Sequence, residues 1–154
     1  MLDYIIVQSD KEYKAASQLF KEYAAWLNID LGFQHFNEEL ENLKTMYNET
    51  DGGIILCKEE ENYIACVALR RSTTTIAELK RMYVQTAHQH KGIGKVLLER
   101  SIALAKNCNY EYIRLDTLSH MIPAINLYKK YGFYEIAPYY HNPVATAVYF
   151  EKKL

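Results

Sequence analysis

The sequence has no apolar run that approaches the roughly 20 residues needed to cross a bilayer. Its N-terminus also lacks a basic segment followed by an apolar stretch, which is the pattern of a secretory signal. We therefore expect a cytoplasmic protein that does not insert into a membrane.

An excess of charge of either sign is missing too. The 154 residues include 18 Lys and Arg against 19 Asp and Glu, for a net charge of −1. Nucleic-acid binding and adhesion to anionic lipid both need a clustered basic surface. We therefore expect neither a nucleic acid nor a membrane as partner.

Cysteine is scarce and irregularly spaced. Cys57, Cys66 and Cys108 are the three cysteines of the chain, an odd number without the spacing of metal ligands. Reduced, buried thiols are the expected state, and no metal is predicted. Linkers, internal repeats and low-complexity tracts are also absent, so residues 1–154 are predicted to form a single domain.

The apolar periodicity predicts alternating strands and helices. Ser9 and Glu12 have the spacing of a capping box at the start of the first helix. Pro123 and Gly132 suit the beginning and the end of the last helix. The predicted order is β-α-α-β-β-β-α-β-α-β-β, an α+β fold around a mixed sheet. The predicted strands cover 3–8, 54–57, 63–69, 76–84, 110–116, 133–136 and 145–150. Asn37 is predicted to cap the second helix, and the third helix begins near Ile93.

A glycine-bearing turn at 89–94 joins the strand 76–84 to the helix that begins near Ile93. The first N–H groups of a helix have no intrahelical partner and lie at the positive end of its dipole. Gly92 and Gly94 would let an anion approach this backbone closely. The turn therefore predicts a phosphate-binding site, although many helices open with glycine for structural reasons alone.

Three local patterns, in this order, resemble the GNAT superfamily of N-acetyltransferases. They are Gln89-x-x-Gly92-x-Gly94 after a strand, Leu115-Asp116-Thr117 in the next strand, and Leu127-Tyr128-x-x-x-Gly132-Phe133 at the end of the last helix. The resemblance covers nearly the whole chain and is strongest from Ile76 to Phe133. The loop around Trp26 to Gln34 and the segment Ala137-Pro138-Tyr139-Tyr140 resemble a bacterial subgroup whose substrates are mostly unassigned.

This resemblance implies acetyl transfer from acetyl-coenzyme A to an amine. In the family, the strand before the glycine turn carries a bulge and splays from the next strand, and the pantetheine arm bonds into the gap. Met121 stands where many members have an asparagine that contacts the pantetheine, and Asn126 one turn later is a substitute. The implied cofactor contacts are Met82, Tyr83, Val84, Gln89, His90, Lys91, Gly92, Ile93, Gly94, Lys95 and Asn126.

The same resemblance suggests two catalytic residues. Tyr128 matches the tyrosine that many members place beside the coenzyme sulfur as general acid, and its alternative is a core tyrosine. Glu78 matches the catalytic glutamate of the histone-acetylating branch, and its alternative is an ion-paired residue, with the proton passing through water. A protonated amine must lose a proton before it attacks, and the departing thiolate benefits from gaining one.

The acceptor is predicted to be a primary amine of a small molecule or peptide. Trp26, Phe33 and Tyr139 are candidate walls of its pocket, or else they pack at the edge of the core. Asp30 is placed to attract a cationic amine. Two other functions stay open: a coenzyme-A-binding sensor without turnover, and acetylation of protein N-termini or lysines. A homodimer also stays open.

Overall fold

The computed structural model describes residues 1–154, except for the side chain of Phe33. The strands are β1 (Leu2–Ile6), β2 (Gly53–Glu59), β3 (Asn62–Arg71), β4 (Ile76–Val84), β5 (Tyr112–Leu118), β6 (Tyr134–Ile136) and β7 (Ala147–Lys153). The helices are α1 (Asp10–Leu27), α2 (Phe36–Glu41), α3 (Leu43–Met46), α4 (Ile93–Asn107) and α5 (Ile122–Lys130). Short 3-10 turns cover Leu31–Gln34 and Thr86–His88.

All seven strands form one sheet in the order β1-β2-β3-β4-β5-β7-β6. Neighbours pair antiparallel except β4 and β5, which are parallel. A parallel pair needs a crossover connection, and α4 supplies it. The predicted α+β fold with a mixed sheet is confirmed.

The sheet separates two apolar clusters, and the alternation along β2 shows why. Ile55 and Cys57 belong to the cluster under α4, whereas Ile54 and Leu56 belong to the cluster under α1. Successive side chains of a strand point to opposite faces, so an unbroken apolar run indicates burial on both. The cluster under α4 also receives Tyr128 from α5.

The predicted signals at the ends of helices are present. Ser9 Oγ accepts from the Glu12 N–H at 3.2 Å, and Glu12 Oε1 accepts from the Ser9 N–H at 3.0 Å, which completes the capping box. Pro123 lies in the first turn of α5, and Gly132 follows that helix with φ of 88°. Within the described chain, no helix is long and apolar enough to cross a membrane.

The second predicted helix is divided in two, and its predicted cap is wrong. Asn37 lies inside α2, and the N-cap is His35, which makes no side-chain capping bond. The division falls at Asn42, whose Nδ2 donates to the Glu38 carbonyl at 2.8 Å and whose φ is −128°. A side chain that bonds its own preceding turn competes with the helical ladder, and a new turn then begins at Leu43.

Candidate active site

The turn between β4 and α4 leaves the main chain open to a cleft. Gly92 is the N-cap of α4 with φ of 79°, and His90 has φ of 69°. Glycine adopts this left-handed conformation at little cost. A Cβ placed on Gly92 or Gly94 would meet no atom within 4 Å, so open space adjoins the backbone at both positions. The unpartnered N–H groups of the first turn of α4 therefore border free volume.

The cleft that begins at this turn has a volume of about 490 Å³. Eight of the eleven predicted cofactor contacts line it, whereas Lys91 and Lys95 are exposed beside it and Asn126 is exposed on α5. His120 and Pro123 contribute to its opposite wall. The full lining is Trp26, Met82, Tyr83, Val84, His88, Gln89, His90, Gly92, Ile93, Gly94, His120, Met121, Pro123 and Ala124.

A β-bulge lies in β4 at the inner end of this cleft. The ladder to β3 shifts register there, so that Arg81 and Met82 together oppose Val67, and Arg81 has φ of 60°. A non-glycine residue in this conformation is strained and reverses the alternation of the strand. Leu79 and Met82 consequently pack on the same cluster under α4, while the consecutive Lys80 and Arg81 both reach Gln34 on the other face.

β4 and β5 separate after Glu78, three residues before the bulge at Arg81. Their parallel pairing runs only from Ile76 opposite Tyr112 to Glu78 opposite Arg114. β5 continues to Leu118 and stays paired with β7. The bulge and the splayed strands are the two features that the family resemblance implied for this region, and the structure shows both.

A smaller cavity of about 80 Å³ lies at the gap between the separated strands. It shares Met82, Met121 and Ala124 with the larger cleft, so the two volumes meet. Its walls are about half polar and half apolar, and its polar residues come from six separate segments. Those polar residues are Gln34, Lys80, Arg81, Asp116, Thr117 and Asn142, together with the phenols of Tyr23 and Tyr128.

Tyr128 joins the apolar core to this cavity. Its ring packs at 5.7 Å from Phe133 and 6.3 Å from Phe150, between ring centroids. Among the residues that the structure describes, none makes a hydrogen bond to its hydroxyl, and the residue lines the small cavity. Burial raises the pKa of the Tyr128 phenol well above its ordinary value, with Tyr23 and Asp116 adding to the rise. The phenol therefore stays protonated at neutral pH.

Glu78 is buried beside the small cavity without lining it. Its Oε1 accepts from Arg70 Nε at 3.0 Å and Nη2 at 2.9 Å, and its Oε2 accepts from the Tyr139 hydroxyl at 2.9 Å. Burial alone would raise the pKa of this carboxyl, but Lys80, Arg70 and Tyr139 outweigh burial and hold the pKa below its ordinary value. Glu78 is thus a well-paired carboxylate in the cluster of charges behind the cavity.

Asp116 is the carboxylate that lines the small cavity. Its Oδ2 accepts from the Tyr140 hydroxyl at 2.7 Å, and that hydroxyl in turn accepts from Gln34 Nε2 at 3.0 Å and Asn142 Nδ2 at 3.2 Å. Burial raises the pKa of the Asp116 carboxyl, although Tyr140 and Lys80 oppose the rise. Asp116 is therefore held by neutral hydrogen-bond donors rather than by a direct ion pair.

A second buried ion pair fixes the bulge. Arg81 Nη2 donates to Glu39 Oε1 at 2.7 Å, and Arg81 Nε donates to Glu39 Oε2 at 3.0 Å. Tyr47 also donates to Glu39 Oε2, at 2.9 Å. Both partners are almost fully buried, and this bidentate geometry anchors α2 to the strained residue of β4.

The four predicted pocket residues occupy different surroundings. Trp26 lines the larger cleft against Tyr83, with ring centroids 5.9 Å apart. Asp30 is exposed and accepts from the Gly32 N–H at 2.8 Å, as the cap of a 3-10 turn. The Tyr139 hydroxyl donates a hydrogen bond to Glu78 Oε2. Phe33 falls outside the described side chains.

Sequence reasoning missed the polar lining of the small cavity. Gln34, Tyr140 and Asp116 each stand in a segment that carried the family resemblance, but none was assigned a role. Their common site depends on three segments far apart in the chain, which no spacing rule connects. An aspartate that follows the buried Leu115 within a strand was the one available signal.

Comparison with known proteins now identifies the family. Residues 17–133 match the Acetyltransferase (GNAT) family. An uncharacterized N-acetyltransferase of Dictyostelium discoideum is 32% identical, with 96% of each chain covered. An acetyltransferase structure from Streptococcus agalactiae superposes with a TM-score of 0.81 at 21% identity, covering 99% of this chain and 98% of that one. A GNAT acetyltransferase from Elizabethkingia anophelis with acetyl-CoA bound gives 0.70 at 21% identity, covering 99% and 98%.

The chain belongs to the GNAT acetyltransferase family. It is therefore an acyltransferase whose general reaction is the transfer of an acetyl group from acetyl-coenzyme A.

Proposed function

We propose that this protein acetylates a primary amine of a small molecule or peptide by direct attack of the amine on the thioester. The observation that carries the proposal is the meeting of two volumes at Met82, Met121 and Ala124. One volume is a long cleft that starts at a helix N-terminus. The other is a small cavity with a carboxylate and a buried phenol. This arrangement suits one large anionic donor and one small acceptor.

The cleft residues fit coenzyme A on structural grounds. The open backbone at Gly92 and Gly94 and the free N–H groups of α4 suit a pyrophosphate. Met82, Tyr83 and Val84 line the cleft beyond the bulge, where β4 no longer pairs with β5 and its edge is available to a pantetheine arm. When bound, acetyl-coenzyme A supplies an acyl carbon that an amine can attack. The Met82 N–H is our candidate donor to the thioester oxygen.

In the reaction, the amine nitrogen forms a bond to the acyl carbon and the carbon–sulfur bond breaks. The sulfur keeps the electron pair and must gain a proton, and the amine must lose two, counted from its ammonium form. We assign Tyr128 as the donor to the sulfur, because its protonated hydroxyl lines the cavity. Its raised pKa means that it acts first as a hydrogen-bond donor as thiolate charge develops.

For proton removal, Asp116 is better placed than Glu78. Asp116 lines the cavity and its pKa is raised, which suits a carboxylate that must accept a proton. Glu78, the base that the family resemblance suggested, has both oxygens bonded to Arg70 and Tyr139. We propose that Glu78 holds the charged cluster in place and that Asp116 receives one amine proton. The second amine proton restores the proton that Tyr128 gives to the sulfur, so that one proton is released to solvent per turnover.

A thiol-release assay with acetyl-coenzyme A tests the proposal. The panel holds small aliphatic amines, amino acids, polyamines and short peptides. We expect stoichiometric release of free thiol and formation of an N-acetyl product with at least one of these classes. Calorimetric binding of coenzyme A without thiol release from any acceptor would contradict the proposal and favour a sensor.

The base assignment needs its own pair of variants. Asp116→Asn should lower kcat by about 100- to 10,000-fold and abolish the acidic limb of the pH profile. Glu78→Gln should leave that limb in place even if it weakens the fold. Loss of the acidic limb in Glu78→Gln, together with its retention in Asp116→Asn, would assign the base role to Glu78 instead.

A further inference from the structure

The buried charges around the small cavity do not all pair with one another. Three cations and three anions meet on the α1 side of β4 and β5. Arg81 is matched by Glu39 and Arg70 is matched by Glu78, each through two short hydrogen bonds. Lys80 and Asp116 are left over, and both line the small cavity.

Lys80 has spare hydrogen-bonding capacity. Its ammonium has three donors. Nζ lies 3.3 Å from Gln34 Oε1, an oxygen that also accepts from Arg81 at 2.8 Å. Nζ is 3.9 Å from Glu78 Oε1, which already accepts twice from Arg70. The Lys80 side chain is only 6% exposed, so solvent does not supply the missing partners freely.

Asp116 is the anion of the cluster that has no charged hydrogen-bond partner. Its one hydrogen bond within the described side chains comes from the neutral hydroxyl of Tyr140. Lys80 and Asp116 do not form an ion pair with each other, although both are described and both line the same cavity. Burial lowers the pKa of the Lys80 ammonium and raises the pKa of the Asp116 carboxyl. Each charge is therefore held at a cost that an opposite charge from a ligand would relieve.

We propose that the acceptor is a small zwitterionic amine, of the amino-acid type, whose ammonium is held by Asp116 and whose carboxylate is held by Lys80. The proposal rests on the proposed amine acetylation and names its substrate class. A carboxylate matches one residual positive charge, whereas a dianionic phosphate would leave a charge unbalanced. The cavity of about 80 Å³ also restricts the part of the acceptor that enters it to a few heavy atoms.

The space next to Lys80 gives the remainder of such an acceptor somewhere to lie. Lys80 and Gln34 also line a second depression of about 280 Å³, together with Met46 and Tyr140. Lys80 thus stands at the boundary between the reacting cavity and this depression. A carboxylate bound there would leave the amino-acid side chain outside the reacting cavity.

Matched acceptors test the substrate class in the thiol-release assay. Alanine, alaninamide and ethylamine differ only in one group on the amine-bearing carbon, which is a carboxylate, a carboxamide or a hydrogen atom. The carboxylate of alanine raises the pKa of its amine, so intrinsic reactivity at neutral pH favours alaninamide. We expect the opposite order, with kcat/KM for alanine about 10- to 100-fold above that for alaninamide, which only recognition of the carboxylate can produce. Equal or reversed values would overturn the proposal.

Variants of Lys80 locate the recognition. Lys80→Met should remove the preference for alanine by raising the KM for alanine much more than the KM for alaninamide. Lys80→Arg should restore part of the preference, because it returns a cation. Lys106→Met, at an exposed position of α4, is the matched control and should keep the preference. A preference that survives Lys80→Met in a folded protein would contradict the assignment.

A binding experiment separates the failure of this inference from the failure of the proposed reaction. Alanine and alaninamide are titrated by calorimetry into protein saturated with coenzyme A, where no turnover occurs. Binding of alanine alone, without acetylation in the assay, would keep the recognition and reject the reaction. Acetylation of uncharged amines with no binding preference would keep the reaction and reject the zwitterionic acceptor. Binding of neither compound would also reject it.

Discussion

In the proposed function, the two faces of the central sheet recognise the two substrates by different means. On the α4 face, the proposed donor cleft is built from main chain: an open helix N-terminus, two glycines and the edge of β4. On the α1 face, the proposed acceptor cavity is lined by the charged side chains of Lys80, Arg81 and Asp116, and Glu39 of α2 and Arg70 of β3 pair with charges of β4 behind it. The main chain can recognise a feature common to every reaction of the family. Side chains can distinguish one acceptor from another.

Tyr128 belongs to both faces, and its removal is expected to have the largest effect on activity. Tyr128→Phe keeps the ring in the cluster with Phe133 and Phe150 and deletes only the hydroxyl. We expect kcat to fall about 100- to 10,000-fold with little change in coenzyme A affinity. Steady-state kinetics and calorimetry measure the two quantities. Full turnover by the variant would exclude the phenol as the proton donor.

The acceptor face should be far more sensitive to loss of a charge than the donor face. Glu39→Gln leaves Arg81 buried without a carboxylate and should lower the free energy of unfolding by about 3–5 kcal/mol. Glu38→Gln, its exposed neighbour in α2, is the control and should change it by less than about 0.5 kcal/mol. Chemical denaturation gives both values. Similar values for the two variants would mean that the ion pair does not hold the bulge.

On the donor face, added charge at the turn should act on binding rather than on folding. Gly92→Asp and Gly92→Asn both tolerate a positive φ, and they differ mainly in charge. We expect the aspartate variant to bind coenzyme A about 10- to 100-fold more weakly than the asparagine variant, since a negative charge would face the pyrophosphate. Calorimetry compares the pair at two salt concentrations. Equal affinities would place the pyrophosphate elsewhere.

The smallest expected effect is a gain in stability. The pKa of Asp116 is raised above its ordinary value of 3.8, so the folded state holds the proton more tightly than the unfolded state. The free energy of unfolding therefore falls as pH rises from about 3.8 through the raised pKa, and the cost is complete near neutral pH. Asp116→Asn should remove the cost of burying this charged carboxylate. The free energy of unfolding should then rise by about 0.5–2 kcal/mol at pH 7.5, and by less at pH 4.5. Denaturation at the two pH values tests this sign.

The contrast between the faces also explains what the sequence could predict. The glycine turn, the capping box and the order of strands and helices along the chain depend on local spacing, and each was predictable. The family resemblance extended the prediction to the bulge and the splay. The relation of Asp116 to Tyr140, and of Lys80 to Gln34, joins residues that are 24 and 46 positions apart. No period of a helix or strand connects such positions, so the acceptor cavity emerged only from the fold.

Glu78 shows that the position and type of a residue do not predict which of its atoms are free. Its position on β4 matched a catalytic glutamate, and its residue type suited a base. Which of its oxygens were free depended on Arg70 from β3 and Tyr139 from the loop before β7, and neither partner could be inferred from position alone.

The bulge at Arg81 shifts by one residue the alternation of β4 side chains between the two faces of the sheet. Up to Lys80, even-numbered residues of β4 belong to the acceptor side, and after Arg81 the odd-numbered Tyr83 does. Flattening the bulge without removing a residue would exchange the two faces for everything downstream, including the strand edge that leads into the glycine turn. Deleting Arg81 would instead restore unbroken alternation and leave those faces unchanged. The two sites therefore share a single register. Away from the bulge, insertions or deletions in β4 should be tolerated only in pairs, whereas the loops that border the proposed acceptor cavity can change length independently.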